Sequence, residues 1–218
     1  MKTDDLIARL GREATVVTPL PAPARRTAVW LAYGAIYVMV SSAMILAGMS
    51  RGGAAVTPLY LLQQGAALLT GIAAARAAFI SVVPGERDRA WILPAVTGAL
   101  WVVALLWASV FDVQVSGTLG LAAETDWPCV VSMTIGAVVL GAPMLVMLRR
   151  GAPLTPRATA FLAGVAALSL ANIEACLTRP HAFAMTVLLW HGGTAALIAF
   201  LCAGMGRRWL RWPARMAS

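Results

Sequence analysis

Six apolar stretches, each about as long as a helix must be to cross a bilayer, make up most of this chain of 218 residues. A hydrocarbon core near 30 Å takes about 20 helical residues per crossing, and the stretches fall at 27–47, 58–82, 91–111, 129–148, 157–176 and 184–204. Their apolar runs are continuous and do not alternate at period two, which argues against a strand barrel. The expected fold is therefore all-α: a polytopic membrane protein built as a bundle of six transmembrane helices. It divides into a cytoplasmic arm (1–26), the six-helix transmembrane domain (27–204) and a basic cytoplasmic tail (205–218). The first apolar run begins too late and is too long for a secretory signal, so it is read as the first helix.

Sidedness follows from the basic residues, since Lys and Arg in short connections are retained on the cytoplasmic side. The arm has Lys2, Arg9, Arg12, Arg25 and Arg26, the second loop Arg87 and Arg89, the fourth Arg149, Arg150 and Arg157, and the tail Arg207, Arg208, Arg211 and Arg215. Only Arg51 and Arg179 fall on the other side, where the long loop after Phe111 carries Asp112, Glu124 and Asp126. Both termini are thus expected in the cytoplasm. The net charge of +8 serves topology and anionic lipid, and no direct contact with nucleic acid is expected.

Few polar residues interrupt the spans. Arg76 is about 10 Å from the inner end of the second span and can snorkel to the headgroups. Gln63, Gln64, Ser169 and Asn172 are read as helix-to-helix hydrogen-bonding residues, and His191 as a buried histidine that suits a structural role better than that of a metal ligand or proton carrier. Ala163, Ala167, Ala171 and Ala175 give the fifth span a face of small residues for close packing. Pro94 and Pro143 end or kink their helices without chemical consequence.

The cysteines are more telling in place than in number. Cys129 opens the fourth span, Cys176 closes the fifth, and Cys202 lies near the inner face. By the sidedness above, the first two are at the outer edge of adjacent helices. They could be oxidised to a disulfide, bind a soft metal with His181, Asp126 or Glu174 nearby, or serve as small buried hydrophobes. Spacing leaves these open, and with them the identity of any metal. No nucleophile elbow, zinc-protease helix or phosphate loop is present, so the chain is not expected to be an enzyme, and no cofactor is expected.

Residues 3–12 read as a short helix ahead of the membrane. Thr3 can cap it, Asp4 and Asp5 suit the positive end of its dipole, and Leu6, Ile7 and Leu10 form a narrow apolar stripe. The following Thr18-Pro-Leu-Pro-Ala-Pro-Ala24 is a stiff spacer. Two surfaces could take it, the inner leaflet or a groove on a cytoplasmic protein partner, and the acids at the front of the helix, which disfavour anionic lipid, favour the partner.

The opening Met1-Lys-Thr-Asp-Asp-Leu-Ile7, the Val83-Pro-Gly85 turn, Asp126-Trp-Pro-Cys129, Leu148-Arg-Arg-Gly-Ala-Pro-Leu-Thr-Pro156, and Cys176 followed by Leu189-Trp-His191 together resemble the NrsF-like bacterial anti-sigma factors, six-span inner-membrane proteins. That resemblance implies a membrane protein that sequesters an extracytoplasmic-function sigma factor and releases it on metal or oxidative stress. Asp4, Asp5, Leu6, Ile7 and Leu10 would then lie in the sigma-contacting arm. Cys129 and Cys176 would be the signal-sensing pair on the periplasmic side, with His181 in an accessory place. The competing readings are a small transporter or channel subunit, against which the scarcity of buried charge counts, and a membrane redox enzyme. The inducing signal, the identity of the sigma factor, the oligomeric state and the part played by proteolysis are not written in the residues.

Overall fold

Apolar runs with few interior breakers and polar, Pro- or Gly-bearing connections give long helices, and in the computed structural model every regular element among the described residues is helical. The structure describes residues 3–13, 19–48, 57–83, 85, 89–118, 127–151, 153–178 and 183–210. The elements are α1 (Thr3–Glu13), α2 (Pro23–Gly48), α3 (Pro58–Ile80), α4 (Ile92–Ser116), α5 (Trp127–Arg149), α6 (Pro156–Thr178) and α7 (Ala184–Trp209). A π-helical stretch, Val187–Gly192, lies inside α7.

Local chemistry sets several ends. Thr57 caps α3, its hydroxyl accepting from the Tyr60 amide at 3.1 Å, and Pro58 fills the first helical position, where a missing N–H costs nothing. Gly117, at φ 71°, closes α4 with its amide on the Val113 carbonyl, a left-handed conformation that a Cβ would strain. α2, α4 and α7 run four or five residues past the apolar spans read from the sequence, because backbone hydrogen bonding continues where side chains leave the lipid.

Five helices, α2 and α4 to α7, are long and apolar enough to cross a membrane. The sequence reading has six. α3 matches them in length at 23 residues but carries Gln63, Gln64 and Arg76, and its place in the bundle explains the difference. Ten of its residues are buried, nine of them Ala, Gly or Phe and the tenth Thr70, all within one band from Ala66 to Phe79. A helix covered by neighbours needs small side chains more than oily ones. Arg76 is exposed on the outward face of α3, in keeping with the snorkelling reading.

α6 is the other covered helix. Ala167, Ala171 and Ala175 of the expected stripe are buried almost completely, with Ala163 packed beside them. It touches α3, α5, α7 and α2. The approach is close: a Cβ placed on Gly136 of α5 would fall 2.7 Å from the Ala171 Cβ and 3.1 Å from the Tyr37 hydroxyl of α2. At the far end of α6, Gly206 of α7 lies directly over Pro156 and Ala160.

α2 is fastened to α5 by side-chain donors aimed at backbone carbonyls. Trp30 Nε1 donates to the Leu140 carbonyl at 3.0 Å, the Tyr33 hydroxyl to that of Val139 at 3.3 Å, and Arg26 Nη2 to that of Met147. The Arg26 guanidinium also lies 4.6 Å from the centre of the Phe79 ring, a cation–π contact. Pro143 stands inside α5, and Tyr33 serves the Val139 carbonyl that the missing amide at 143 leaves without a helical donor.

Contacts across the bundle show which helix ends lie together. Arg26 with Met147, Ser81 with Thr159 (2.8 Å) and Arg149 with the Trp209 carbonyl (2.8 Å) join the start of α2, the ends of α3, α5 and α7, and the start of α6. That end holds Arg25, Arg26, Arg149, Arg150, Arg157, Arg207 and Arg208. At the opposite end the Ala184 amide donates to Asp112 at 2.8 Å, tying α7 to α4. Chain direction thus alternates from α2 to α7, with the basic residues of these helix ends gathered at one end.

Candidate signal-sensing site

Cys129 lies in the first turn of α5 and Cys176 in the last turn of α6. The two helices pack against each other and are joined at the basic end, so both cysteines are at the opposite end of the bundle. Both are thiols and both are buried. The pair thus lies on adjacent helices at a shared end of the bundle.

The structure adds partners that the sequence reading left as ordinary bundle residues. Asn172 lies one turn before Cys176 and shares its face of α6. Its Oδ1 takes a hydrogen bond from His191 Nδ1 at 2.8 Å and faces the Cys176 sulfur at 3.9 Å, while that sulfur is 3.8 Å from His191 Nδ1. All three residues are more than nine-tenths buried. An amide oxygen only accepts, so the 2.8 Å contact places the imidazole proton on Nδ1. Asn172 Nδ2 has no hydrogen-bond partner among the described residues.

His191 reaches inward from the π-helical stretch of α7, where the Gly193 amide serves the carbonyls of both Leu189 and Trp190. A wide turn of this kind shifts side chains off the α-helical stripe and is often found at functional sites. Leu105, Val187, Trp101, Leu188 and Tyr60 wall the cluster with apolar surface. Low polarity around the triad strengthens the hydrogen bonds within it.

Glu174 points to the other side of α6. Ser132, one turn along α5 from Cys129, donates to its Oε2 at 2.9 Å, and the Thr178 hydroxyl to its backbone carbonyl at 3.0 Å. An ionisable residue at this depth is costly and calls for such partners. α6 therefore carries two polar nodes back to back, one facing α7 through Asn172 and Cys176, the other facing α5 through Glu174. Among the described residues no three His, Cys, Asp or Glu side chains gather as a metal-ligand set. His181, Glu124 and Asp126 lie outside the described residues.

At the other extreme of the chain, α1 forms over the segment expected to be helical. Asp4 and Asp5 are in its first turn, Arg12 in its last, and Asp4, Asp5, Ile7 and Arg12 are exposed. The side chains of Leu6 and Leu10 lie outside the described residues.

The model of one protein family, NrsF, described as negative regulator of sigma F, matches residues 10–212. The chain belongs to the NrsF family. The match takes in the whole helical bundle, Cys129, Cys176, Asn172 and His191, and it begins at Leu10, so Asp4, Asp5, Leu6 and Ile7 precede it. No curated protein and no solved structure matches the chain.

Proposed function

We propose that this NrsF-family chain is a membrane-bound anti-sigma factor. It crosses the bacterial inner membrane six times, with α3 as the central, second crossing and both termini in the cytoplasm. The family match over residues 10–212 carries the reading of negative regulation. Orientation is supported by the basic residues gathered at one end of the bundle, the end that positive charge holds inside. The chain acts by binding, with no chemical turnover of its own.

α1 holds an extracytoplasmic-function sigma factor through Asp4, Asp5, Leu6, Ile7 and Leu10, and the proline-rich spacer sets it off from the bilayer. An amphipathic helix of eleven residues is too short to be stable alone in water and suits a groove on a partner. Cys129 and Cys176 sense metal or oxidant at the periplasmic end. A change at the outer ends of α5 and α6 passes through the Gly136 and Ala171 contact, where bare backbones allow packed helices to shift as units. Taking the sigma factor from mostly bound to mostly free needs a differential of about 5.5 kcal/mol.

Capture of sigma factors by the full chain in detergent micelles tests this reading. The expected result is retention of a small sigma factor that is lost when cadmium or peroxide is added. Retention unchanged by either agent, or no retention at all, would overturn it.

A further inference from the structure

The atoms of Cys176, His191 and Asn172 meet in a geometry that the thiol pair does not supply. Sγ, Nδ1 and Oδ1 are separated by 3.8, 2.8 and 3.9 Å. Three points so spaced lie on a circle of radius about 2.1 Å, close to the bond lengths that imidazole nitrogen and carboxamide or carboxylate oxygen make to a d10 ion and slightly under the roughly 2.3 Å of a thiolate bond. An ion lifted a few tenths of an ångström from that plane reaches all three. Across 3.8 Å, bonds of about 2.3 and 2.0 Å enclose a sulfur–metal–nitrogen angle near 120°. These are donors on two helices, already inside bonding range of one centre, in a region nine-tenths buried.

We propose that Cys176 Sγ, His191 Nδ1 and Asn172 Oδ1 form a seat for a single soft or borderline divalent ion of the zinc and cadmium class. A thiolate with an imidazole selects such ions over magnesium or calcium. Loading the seat balances simply. The Cys176 thiol proton leaves to solvent, the imidazole proton moves from Nδ1 to Nε2, and the Asn172 oxygen exchanges its hydrogen bond for the metal. One net proton is released per ion, and no electron moves.

Two further observations bear on the seat. Asn172 is engaged through its oxygen, the atom that faces the seat, while its amide nitrogen is buried with no partner among the described residues. His191 is carried on a π-helical turn, a distortion often found at functional sites. A structural histidine could be held from a regular helix. The ion would tie α6 to α7, where a disulfide would tie α6 to α5.

The proposal deepens the sensing reading of Cys176, and its test does not depend on a sigma factor. The full chain, reduced and purified in detergent, is titrated with cadmium chloride against a competing chelator, with the thiolate-to-cadmium absorption as second readout. One equivalent is expected to bind, releasing one proton. Cys176→Ser should abolish the band, and His191→Gln and Asn172→Leu should weaken binding by at least about tenfold. Cys202→Ser, on α7 toward the basic end and outside the seat, should stay within about twofold of the parent.

X-ray absorption at the cadmium edge of the unaltered chain asks the same question without a variant. One sulfur with nitrogen and oxygen neighbours is the expected shell. Two sulfurs, equal losses in Cys129→Ser and Cys176→Ser, or undiminished binding by His191→Gln would overturn the seat. So would the absence of binding by the parent chain. Tight binding at the seat without release of a sigma factor would instead sink the sensing reading and leave the seat standing.

Discussion

The Tyr33 hydroxyl donates to the Val139 carbonyl, the acceptor that the residue at position 143 would have served had it not been proline. One turn earlier on the face of α2, Trp30 Nε1 donates to the Leu140 carbonyl, three residues before the proline. Pro143 thus leaves a carbonyl of α5 without its helical donor and α2 supplies one, so a proline in one helix specifies the register of another.

A double-mutant cycle tests this pairing. Tyr33→Phe should cost about 0.5–1.5 kcal/mol, since it leaves the Val139 carbonyl unserved, and the fully buried Trp30→Phe about 1–3 kcal/mol, through the lost hydrogen bond and ring volume. In a Pro143→Ala background the amide at 143 returns, and Tyr33→Phe should become nearly neutral. Unfolding of the micelle-embedded chain by denaturing detergent gives all four stabilities, and a Tyr33→Phe cost that persists in that background would refute the relationship.

The contact between α5 and α6 should tolerate no extra methyl. Gly136→Ala is expected to destabilise by about 1–3 kcal/mol through overpacking against Ala171 and the Tyr37 hydroxyl. Ala171→Gly in the same chain should recover part of the loss by giving the methyl room. The same detergent unfolding measures both, and an additive penalty would show that the two positions do not meet.

Substituting Asp5→Lys together with Leu6→Asp should abolish capture of the sigma factor. The pair reverses one charge at the start of α1 and breaks its apolar stripe, while leaving the bundle untouched. Fractionation should still find the chain in the membrane at wild-type amounts. Undiminished capture would move the binding surface off the arm.

Replacing Cys129→Ser and Cys176→Ser together should leave the sigma factor held under metal or oxidant stress, with capture in the resting state unchanged. A reporter driven by the released sigma factor reads the outcome. Induction equal to that of the parent chain would dismiss the thiols as the sensing groups.

How much of this was legible beforehand depends on the range of the interaction. The helices follow from runs of apolar residues, and the small face of α6 from alanines spaced four apart, because both are local. The α1 segment was readable for the same reason, its acids and its Arg12 marking the two ends of a dipole. The central position of α3 was not, since Gln63, Gln64 and Arg76 look like flaws in a lipid-facing span until its alanines are seen to be covered. Asn172 and His191 stand nineteen residues apart on different helices, and only the packing of α6 on α7 brings them to 2.8 Å. The i, i+4 placement of Asn172 and Cys176 on one face was the available signal, with Glu174 between them marking the same turn as polar on two sides. A π-helical turn has no residue signature in Val187–Gly192, so nothing in the sequence turns His191 inward.

That widened turn also sets how the rest of α7 is rotated. A segment that winds as π and reverts to α would take up its spare residue by rotating everything beyond it by about 100°, the angle of one helical step. From Gly193 onward such a rotation would travel the length of α7 to Gly206, which rides on Pro156 and Ala160 without a side chain between. The winding around His191 and the bare face at Gly206 therefore specify each other, since turning α7 would bring a side chain onto the start of α6.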